Sequence, residues 1–238
     1  MVKKGEYLER PALIEVDGIW LEGLYHRGED KPGLLVCPPI AGEIGMDTPP
    51  VAELAFATAR AGRASLRFQH RGFGASQGAS DPTRSIDDAR GALAHLIACT
   101  TSARIDVAGY RSGALTAVQL ARTEPRVRSI VLVAPQTMLD LVELENRRVL
   151  VVLGSLTEEP LLEAWRARVD VLPEGALAII DEADYRFVRG LTTMGDKVVR
   201  WLESSTDLFA GLASEAEAVR PTAEEQVGDG DDAMIIER

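Results

Sequence analysis

The sequence has few of the residues that metal binding, acid–base catalysis or membrane insertion usually require. It contains two cysteines, Cys37 and Cys99, whose separation fits no metal-binding spacing. Its three histidines, His26, His70 and His95, all lie in the first half of the chain. No apolar run approaches the roughly 20 residues of a membrane span, and the N-terminus lacks the apolar core of a signal peptide. We therefore expect a cytoplasmic protein that contacts no membrane and carries neither a metal nor another cofactor.

Basic residues are also in deficit. The chain has 26 lysines and arginines against 37 aspartates and glutamates, a formal net charge of −11. Binding to nucleic acid needs a basic face that neutralises phosphates, so we do not expect DNA or RNA as a partner. The hydrophobic share of 46% and charged share of 26% are ordinary for a globular protein, and 238 residues suit one α/β domain.

Short apolar runs alternate with longer segments of helical spacing. The apolar runs are residues 34–37, 64–68, 105–108, 130–133, 149–153 and 176–180. Strands buried on both faces of a parallel sheet have this composition. The segments of helical spacing are residues 51–61, 85–98, 114–123, 161–169 and 194–202. Upstream of these, Asp17-Gly18 separates two strand-like runs and predicts a tight hairpin. The pattern predicts an α/β fold with a mostly parallel, doubly wound sheet and an antiparallel N-terminal hairpin.

The composition changes near Ser204. We predict a folded domain over residues 1–203 and an acidic tail over residues 204–238, whose few apolar residues leave it disordered. The tail ends in a small apolar cluster, Ala233-Met234-Ile235-Ile236-Glu237-Arg238. That cluster is either a docking peptide for a protein partner or a frayed end with incidental apolar residues.

Five segments, in chain order, carry the residues of a known family. They are Val36-Cys37-Pro38-Pro39-Ile40-Ala41-Gly42-Glu43, Leu66-Arg67-Phe68-Gln69-His70-Arg71-Gly72-Phe73-Gly74-Ala75-Ser76, Gly109-Tyr110-Arg111-Ser112-Gly113, Val151-Val152-Leu153-Gly154 with Pro160, and Ala183-Asp184-Tyr185-Arg186-Phe187. From about Leu8 to Leu202 the chain resembles the compact bacterial α/β-hydrolases that have little or no lid. The resemblance implies an α/β-hydrolase fold in which the Gly-x-X-x-Gly turn is the nucleophile elbow.

The same resemblance places other residue types at the catalytic positions. Arg111 falls at the position of the nucleophilic serine, Thr157 at the acid and Tyr185 at the histidine base. An arginine has a pKa above about 12 and supplies no nucleophile at neutral pH. All three histidines precede the elbow, whereas the base of this fold follows the nucleophile in the chain. Glu43 lies near a position where relatives have glycine, and its charge would oppose the anion that an oxyanion hole stabilises.

Other side chains are weaker candidates for the missing chemistry. Ser112 adjoins the apex, where we expect its hydroxyl to start the following helix rather than to act as a nucleophile. Glu158 adjoins the acid position but has no histidine to orient. We expect Cys37 to be a small core residue and His70 to be a solvated loop residue at the rim of the pocket.

Arg111 allows two interpretations. With the positive end of the following helix it could hold a carboxylate or phosphate. Alternatively it pairs internally with Glu158, Asp184 or Glu43 and fills the former pocket, which we favour. The candidate pocket or anion-binding residues are Arg111, Ser112, Glu43, Glu158 and Asp184.

Three functional hypotheses follow. The first is a non-catalytic α/β-hydrolase-like protein that acts as a binding or scaffolding protein. Its protein partner would contact the rim of the former pocket, the acidic tail or the terminal peptide of residues 233–238. The second is a hydrolase acting on ester bonds with a relocated nucleophile, starting with Ser112. The third is a sensor of small anions centred on Arg111. Association into a homo-oligomer stays open under all three.

Overall fold

A computed structural model of the protein describes residues 9–40, 45–144 and 146–204. These residues form eight strands and five α-helices. The strands are β1 (Arg10–Val16), β2 (Ile19–His26), β3 (Gly33–Cys37), β4 (Ser65–Phe68), β5 (Ile105–Tyr110), β6 (Val127–Val133), β7 (Arg148–Gly154) and β8 (Gly175–Ile180). The helices are α1 (Pro49–Arg60), α2 (Ser85–Cys99), α3 (Gly113–Thr123), α4 (Glu159–Asp170) and α5 (Leu191–Glu203). Glu43 and the predicted tail beyond Ser204, including residues 233–238, lie outside the described residues.

The strands form one mixed sheet in the order β1-β2-β4-β3-β5-β6-β7-β8. β1 pairs antiparallel with β2, and β2 pairs antiparallel with β4, whereas the remaining neighbours are parallel. In the β1–β2 hairpin, Asp17 and Gly18 have φ angles of 52° and 78°. Two successive positive φ values are typical of the two-residue turn that matches strand twist. The predicted α/β fold with an N-terminal antiparallel hairpin is confirmed.

Helices cover both faces of the sheet. β5, β6 and β7 are therefore buried along their whole length. On one face α2, α3 and α4 pack through side chains that include Leu93, Leu120 and Trp165. On the other face α1 and α5 pack through side chains that include Leu54 and Met194. Each fully buried Leu or Met side chain stabilises the fold by about 1.5–3 kcal/mol.

The helices begin close to their predicted positions. α1 starts at Pro49, slightly before the predicted residue 51, because two prolines fit the first helical turn, where the backbone N–H needs no partner. α4 likewise includes Pro160 in its first turn. α5 begins at Leu191, a few residues before the predicted start. These helix starts position the loops at the carboxyl ends of the strands, where the candidate site lies.

A buried ionic cluster lies at the amino-terminal end of β5. Asp106 is fully buried and accepts hydrogen bonds from the guanidinium groups of Arg63 and Arg128. Arg128 also donates to the carbonyl of Leu202 at 3.4 Å, which joins the cluster to the last turn of α5. A charge this deeply buried is tolerated only when it is paired and hydrogen-bonded. The sequence patterns did not indicate this cluster, because its members lie far apart in the chain.

Candidate functional site

The turn between β5 and α3 has the backbone of a nucleophile elbow. Arg111 at its apex has a φ of 53°, a left-handed conformation that costs a residue with a side chain about 1–2 kcal/mol. A Cβ at Gly109 would lie 2.4 Å from the carbonyl oxygen of Gly113. A Cβ at Gly113 would lie 2.4 Å from the carbonyl oxygens of Cys37 and Pro38. Only glycine fits at either position, so these two residues allow the sharp turn that presents Arg111.

The side chain of Arg111 stacks on Tyr185. Its guanidinium carbon lies 4.3 Å from the centroid of the Tyr185 ring, within cation–π distance. The guanidinium carbon of Arg186 lies 5.1 Å from the centroid of the same ring. The Tyr185 hydroxyl accepts a hydrogen bond from Arg186 Nε at 2.9 Å. Tyr110 Oη donates to the backbone carbonyl of Tyr185 at 3.0 Å, which fixes the loop beside the elbow. The residues predicted at the nucleophile and base positions are thus in direct contact.

The predicted acid position lies on the other side of this pair. Thr157 follows β7, and its amide donates to the Gly154 carbonyl at 3.1 Å in a tight turn. Glu158 is exposed at the start of α4. Asp184 is half-buried and accepts a hydrogen bond from the backbone amide of Arg186 at 2.9 Å. Within the described residues, Arg111 forms no ion pair with Glu158 or Asp184, and Glu43 lies outside them.

Ser112 has a different role from the one predicted. The structure gives it no hydroxyl hydrogen bond to the first turn of α3, so the predicted capping role is wrong. Instead its Oγ accepts a hydrogen bond from the backbone amide of Ile40 at 2.9 Å. Ile40 lies on the loop after β3, which is the loop that contributes an oxyanion-hole amide in this fold. Sequence reasoning missed this contact because the two residues are 72 positions apart.

Two pockets flank the Arg111–Tyr185 pair, and both residues line each of them. The elbow pocket has a volume of about 610 Å³ and lies between the elbow, the start of α1 and the loop that leads into α5. Its other lining residues are Thr48, Pro49, Pro50, Tyr110, Arg186, Phe187, Val188 and Leu191. The second pocket, of about 500 Å³, lies between β7, α4 and the Asp184 turn and includes Thr157 and Glu158. The stacked pair therefore divides the cleft without closing it.

None of the three histidines lines either of these pockets. His70 was predicted as a solvated rim residue, which is wrong: it is 4% exposed, packs edge-on against Phe68, and its Nδ1 lies 3.3 Å from Asp88 Oδ2. Burial alone would raise the pKa of Asp88, but hydrogen bonds from His70 and Arg71 outweigh it and lower that pKa. The prediction failed because the loop motif does not show that His70 meets Asp88 on α2, 18 positions along the chain.

His26 and Cys37 are also structural. His26 is buried, and its Nδ1 lies 3.1 Å from Ser65 Oγ. Since the Ser65 hydroxyl donates to the Ala55 carbonyl at 3.0 Å, His26 Nδ1 carries the proton in this contact. Cys37 is fully buried in the core, as predicted, and burial raises the pKa of its thiol. Neither residue contacts the Arg111–Tyr185 pair in the part of the chain that the structure describes.

Neither a metal centre nor a membrane span stands out among residues 9–40, 45–144 and 146–204. They contain no group of three or more histidine, cysteine or carboxylate side chains placed to hold a metal ion. None of the described helices combines the length and apolar character needed to cross a bilayer.

Comparisons with known proteins agree with the fold. Among solved structures, an α/β serine hydrolase homologue from Coxiella burnetii is 22% identical with a TM-score of 0.67, over 84% of this chain and 98% of that one. A serine hydrolase without a lid from Xanthomonas campestris is 19% identical with a TM-score of 0.69, over 82% and 94%. An esterase from Pyrococcus furiosus is 14% identical with a TM-score of 0.68, over 83% and 91%. No curated protein matches the sequence.

A family model identifies the family of this chain, which similarity to such distant structures does not show. The model described as serine aminopeptidase, S33, matches residues 48–221, which is well over half of the chain. The matched segment includes the elbow and the Thr157 and Tyr185 positions. The chain therefore belongs to the S33 serine aminopeptidase family and has the α/β-hydrolase fold.

Proposed function

We propose that this chain is a non-catalytic member of its family that works as a binding protein through the cleft around the elbow. The observation that carries the proposal is the stack of the Arg111 guanidinium on the Tyr185 ring. In a serine hydrolase of this fold, these two positions hold a hydroxyl nucleophile and the imidazole that takes its proton. A guanidinium supplies no nucleophile, and a phenol hydroxyl does not replace an imidazole as the general base.

The contact between Ile40 and Ser112 supports the same conclusion. An oxyanion hole needs backbone N–H groups that point at the developing charge. The Ile40 amide, on the loop that contributes such a group in this fold, already donates to Ser112 Oγ. The same contact argues against Ser112 as a relocated nucleophile, because within the described residues its oxygen meets a donor and no side-chain base.

The open cleft supports a binding role. If the stacked Arg111 and Tyr185 side chains only filled the former active site, no sizeable pocket would remain beside them. Pockets of about 610 and 500 Å³ border it instead, within the range of small-molecule sites. A protein partner that contacts residues 204–238 stays a prediction, because nearly all of that segment lies outside the described residues.

Family membership favours one alternative, an esterase that uses Ser112. Hydrolysis of short-chain nitrophenyl esters tests the two functions, with the parent compared against Ser112→Ala. Ser80→Ala serves as the matched control, since Ser80 is exposed and lies outside both pockets. The proposal predicts no turnover above the buffer rate in any of the three proteins. Turnover that survives in Ser80→Ala and disappears in Ser112→Ala would contradict it.

A further inference from the structure

Strand β1 forms an open edge of the sheet. The strand order places β1 at one end, and within the described residues β2 is its only neighbouring strand. All seven residues of β1 pair with β2 in one continuous register. Proteins usually protect an edge of this length with a bulge, a covering element or a row of charged side chains. A regular open edge is a surface to which a strand of another chain can be added.

The backbone groups of Leu13 and Glu15 point away from the sheet. On β2, the amides of Trp20 and Glu22 donate to side chains of the loop after β4 at 3.1 and 2.9 Å, on the side away from β1. In the register of the hairpin, Trp20 is opposite Glu15 and Glu22 is opposite Leu13. Opposed residues of an antiparallel pair either both bond each other or both point away. Leu13 and Glu15 therefore direct their N–H and C=O groups to the open side.

Pro11 is the remaining residue of β1 whose backbone points outward. A proline has no N–H to donate, and in sheets it is found at edges where that group would face solvent. The open edge therefore presents the carbonyl groups of residues 11, 13 and 15 and the N–H groups of residues 13 and 15. Within the described part of the chain, no other backbone group bonds to them.

The side chains on one face of this edge are exposed and partly apolar. Leu13 is 68% exposed, and Trp20, on the same face of the hairpin, is 44% exposed. The opposite face of β1, formed by Ala12, Ile14 and Val16, is buried in the core against α2. Contact with a side chain on an added strand would cover Leu13, and cross-strand pairs of this kind stabilise sheets.

The sequence of β1 is complementary to a second copy of itself. A two-fold axis perpendicular to the sheet makes two β1 strands antiparallel and keeps each face of the joined sheet continuous. With Leu13 opposite Leu13 of the second copy, these two residues exchange both backbone hydrogen bonds. The N–H of Glu15 then donates to the carbonyl of Pro11 in the second copy. This register pairs the two exposed leucines and asks for no N–H from Pro11.

The neighbouring registers fit less well. A slip of one residue sets the buried face of one copy against the exposed face of the other. A slip of two residues places Glu9 opposite Glu15 in one direction and Leu13 opposite Glu15 in the other. Like charges directly opposite each other destabilise a strand pair, and a leucine opposite a glutamate loses the apolar contact. The register centred on Leu13 is therefore the favoured one.

We propose that this chain forms a symmetric homodimer in which two β1 strands pair antiparallel, centred on Leu13. The two sheets then form one continuous sheet across the two-fold axis. The proposed dimer does not depend on the function of the elbow, because β2, β4 and β3 lie between β1 and the strand that leads into the elbow.

Sedimentation equilibrium of the full chain tests the association. We expect the mass of a dimer at a chain concentration of about 100 μM. Leu13→Lys places two like charges opposite each other, so it should weaken association at least about tenfold, and its exposure lets the variant fold as the parent does. Val171→Lys is the matched control, since Val171 is 74% exposed after α4, and its association should equal that of the parent. A monomeric parent, or equal association of the two variants, would overturn the inference.

Disulfide cross-linking tests the register. In a chain with the exposed Cys99 replaced by serine, oxidised glutathione should convert Leu13→Cys into a covalent dimer, while the buried Cys37 stays reduced. Directly opposed residues that exchange hydrogen bonds have Cα atoms about 5.5 Å apart, within the span of a disulfide. Glu15→Cys is the matched control, because its two copies would lie about 14 Å apart along the strands and should not cross-link. Absence of the cross-link at position 13, or equal cross-linking at both positions, would overturn the inference.

Discussion

The backbone amide of Ile40 donates a hydrogen bond to Oγ of Ser112 at 2.9 Å, across 72 positions of the chain. This contact joins the loop after β3 to the residue that follows the elbow apex. In an active member of this fold, the same two segments leave their amides free to bind the anion of the transition state. Here the Ser112 hydroxyl accepts a hydrogen bond from one amide of the loop after β3 and links that loop to the elbow.

Ser112→Ala should destabilise the protein without changing any activity. The substitution removes the acceptor of the Ile40 amide, and the loss of such a hydrogen bond costs about 1 kcal/mol at a partly buried site. Chemical denaturation of the variant and the parent measures the difference in the free energy of unfolding. Ser80→Ala, an exposed control, should be neutral. Equal stability of the parent and Ser112→Ala would mean that the contact has no energetic importance.

Gly113→Ala should disrupt the elbow. Its Cβ would lie 2.4 Å from the backbone oxygens of Cys37, at the end of β3, and of Pro38, and the backbone cannot shift without a large energetic cost. We expect a loss of about 1–3 kcal/mol or more in the free energy of unfolding. Gly33→Ala is the matched control, since a Cβ there would meet its nearest neighbours at 3.4 Å. A stability of Gly113→Ala equal to that of Gly33→Ala would contradict the described geometry.

Asp106→Asn should be the most damaging of these substitutions. It leaves Arg63 and Arg128 buried without their carboxylate partner, and removal of one member of a buried ion pair costs about 3–5 kcal/mol. The thermal midpoint and the denaturation midpoint should both fall. The exposed control Asp181→Asn should stay within about 0.5 kcal/mol of the parent. A small effect of Asp106→Asn would show that water or another group neutralises the arginines.

Stability should fall as the pH drops through the histidine range. Burial lowers the pKa of His26, while Glu9 raises it and Arg67 lowers it further. The unfolded chain, with a pKa near the ordinary 6.5, therefore takes up a proton before the folded one. The contribution of neutral His26 to the free energy of unfolding is therefore fully present above the pKa of His26 in the unfolded chain. It is lost as the pH falls through the lower pKa of His26 in the folded protein.

Thermal melts of the parent and of His26→Gln from about pH 8 to about pH 5 check this expectation. The variant should show the smaller loss of thermal midpoint on acidification. Its stability at the upper pH should serve as its own reference, because the substitution also removes the contact with Ser65. Parallel pH profiles of the two proteins would contradict the assignment of this effect to His26.

Much of the fold follows from local patterns in the sequence. The Asp17-Gly18 pair predicts the hairpin because its turn requires two positive φ values, and the apolar runs predict buried parallel strands because such strands lie between helix layers. The predicted starts of α1 and α4 were less accurate, because prolines at residues 49, 50 and 160 belong to the first turns of these helices. The sequence alone did not predict the ionic cluster around Asp106, which only the packing of distant strands creates.

The site was predicted only in part. The elbow motif correctly indicates the sharp turn at Arg111, because the two glycines leave room for it. The stack of Arg111 on Tyr185 and the contact of Ser112 with Ile40 depend on loops that meet only in three dimensions. For the same reason His70, interpreted as a rim residue from its loop motif, lies buried beside Asp88 instead.

Intact-mass analysis after incubation with a reactive fluorophosphonate would decide whether this chain is catalytic, because this reagent labels an activated serine whatever the natural substrate is. An active serine hydrolase treated in parallel confirms that the reagent is competent. We expect an unchanged mass for this chain under conditions that label the control completely. A single stoichiometric adduct that disappears in Ser112→Ala would contradict it and show that the fold has kept a working nucleophile.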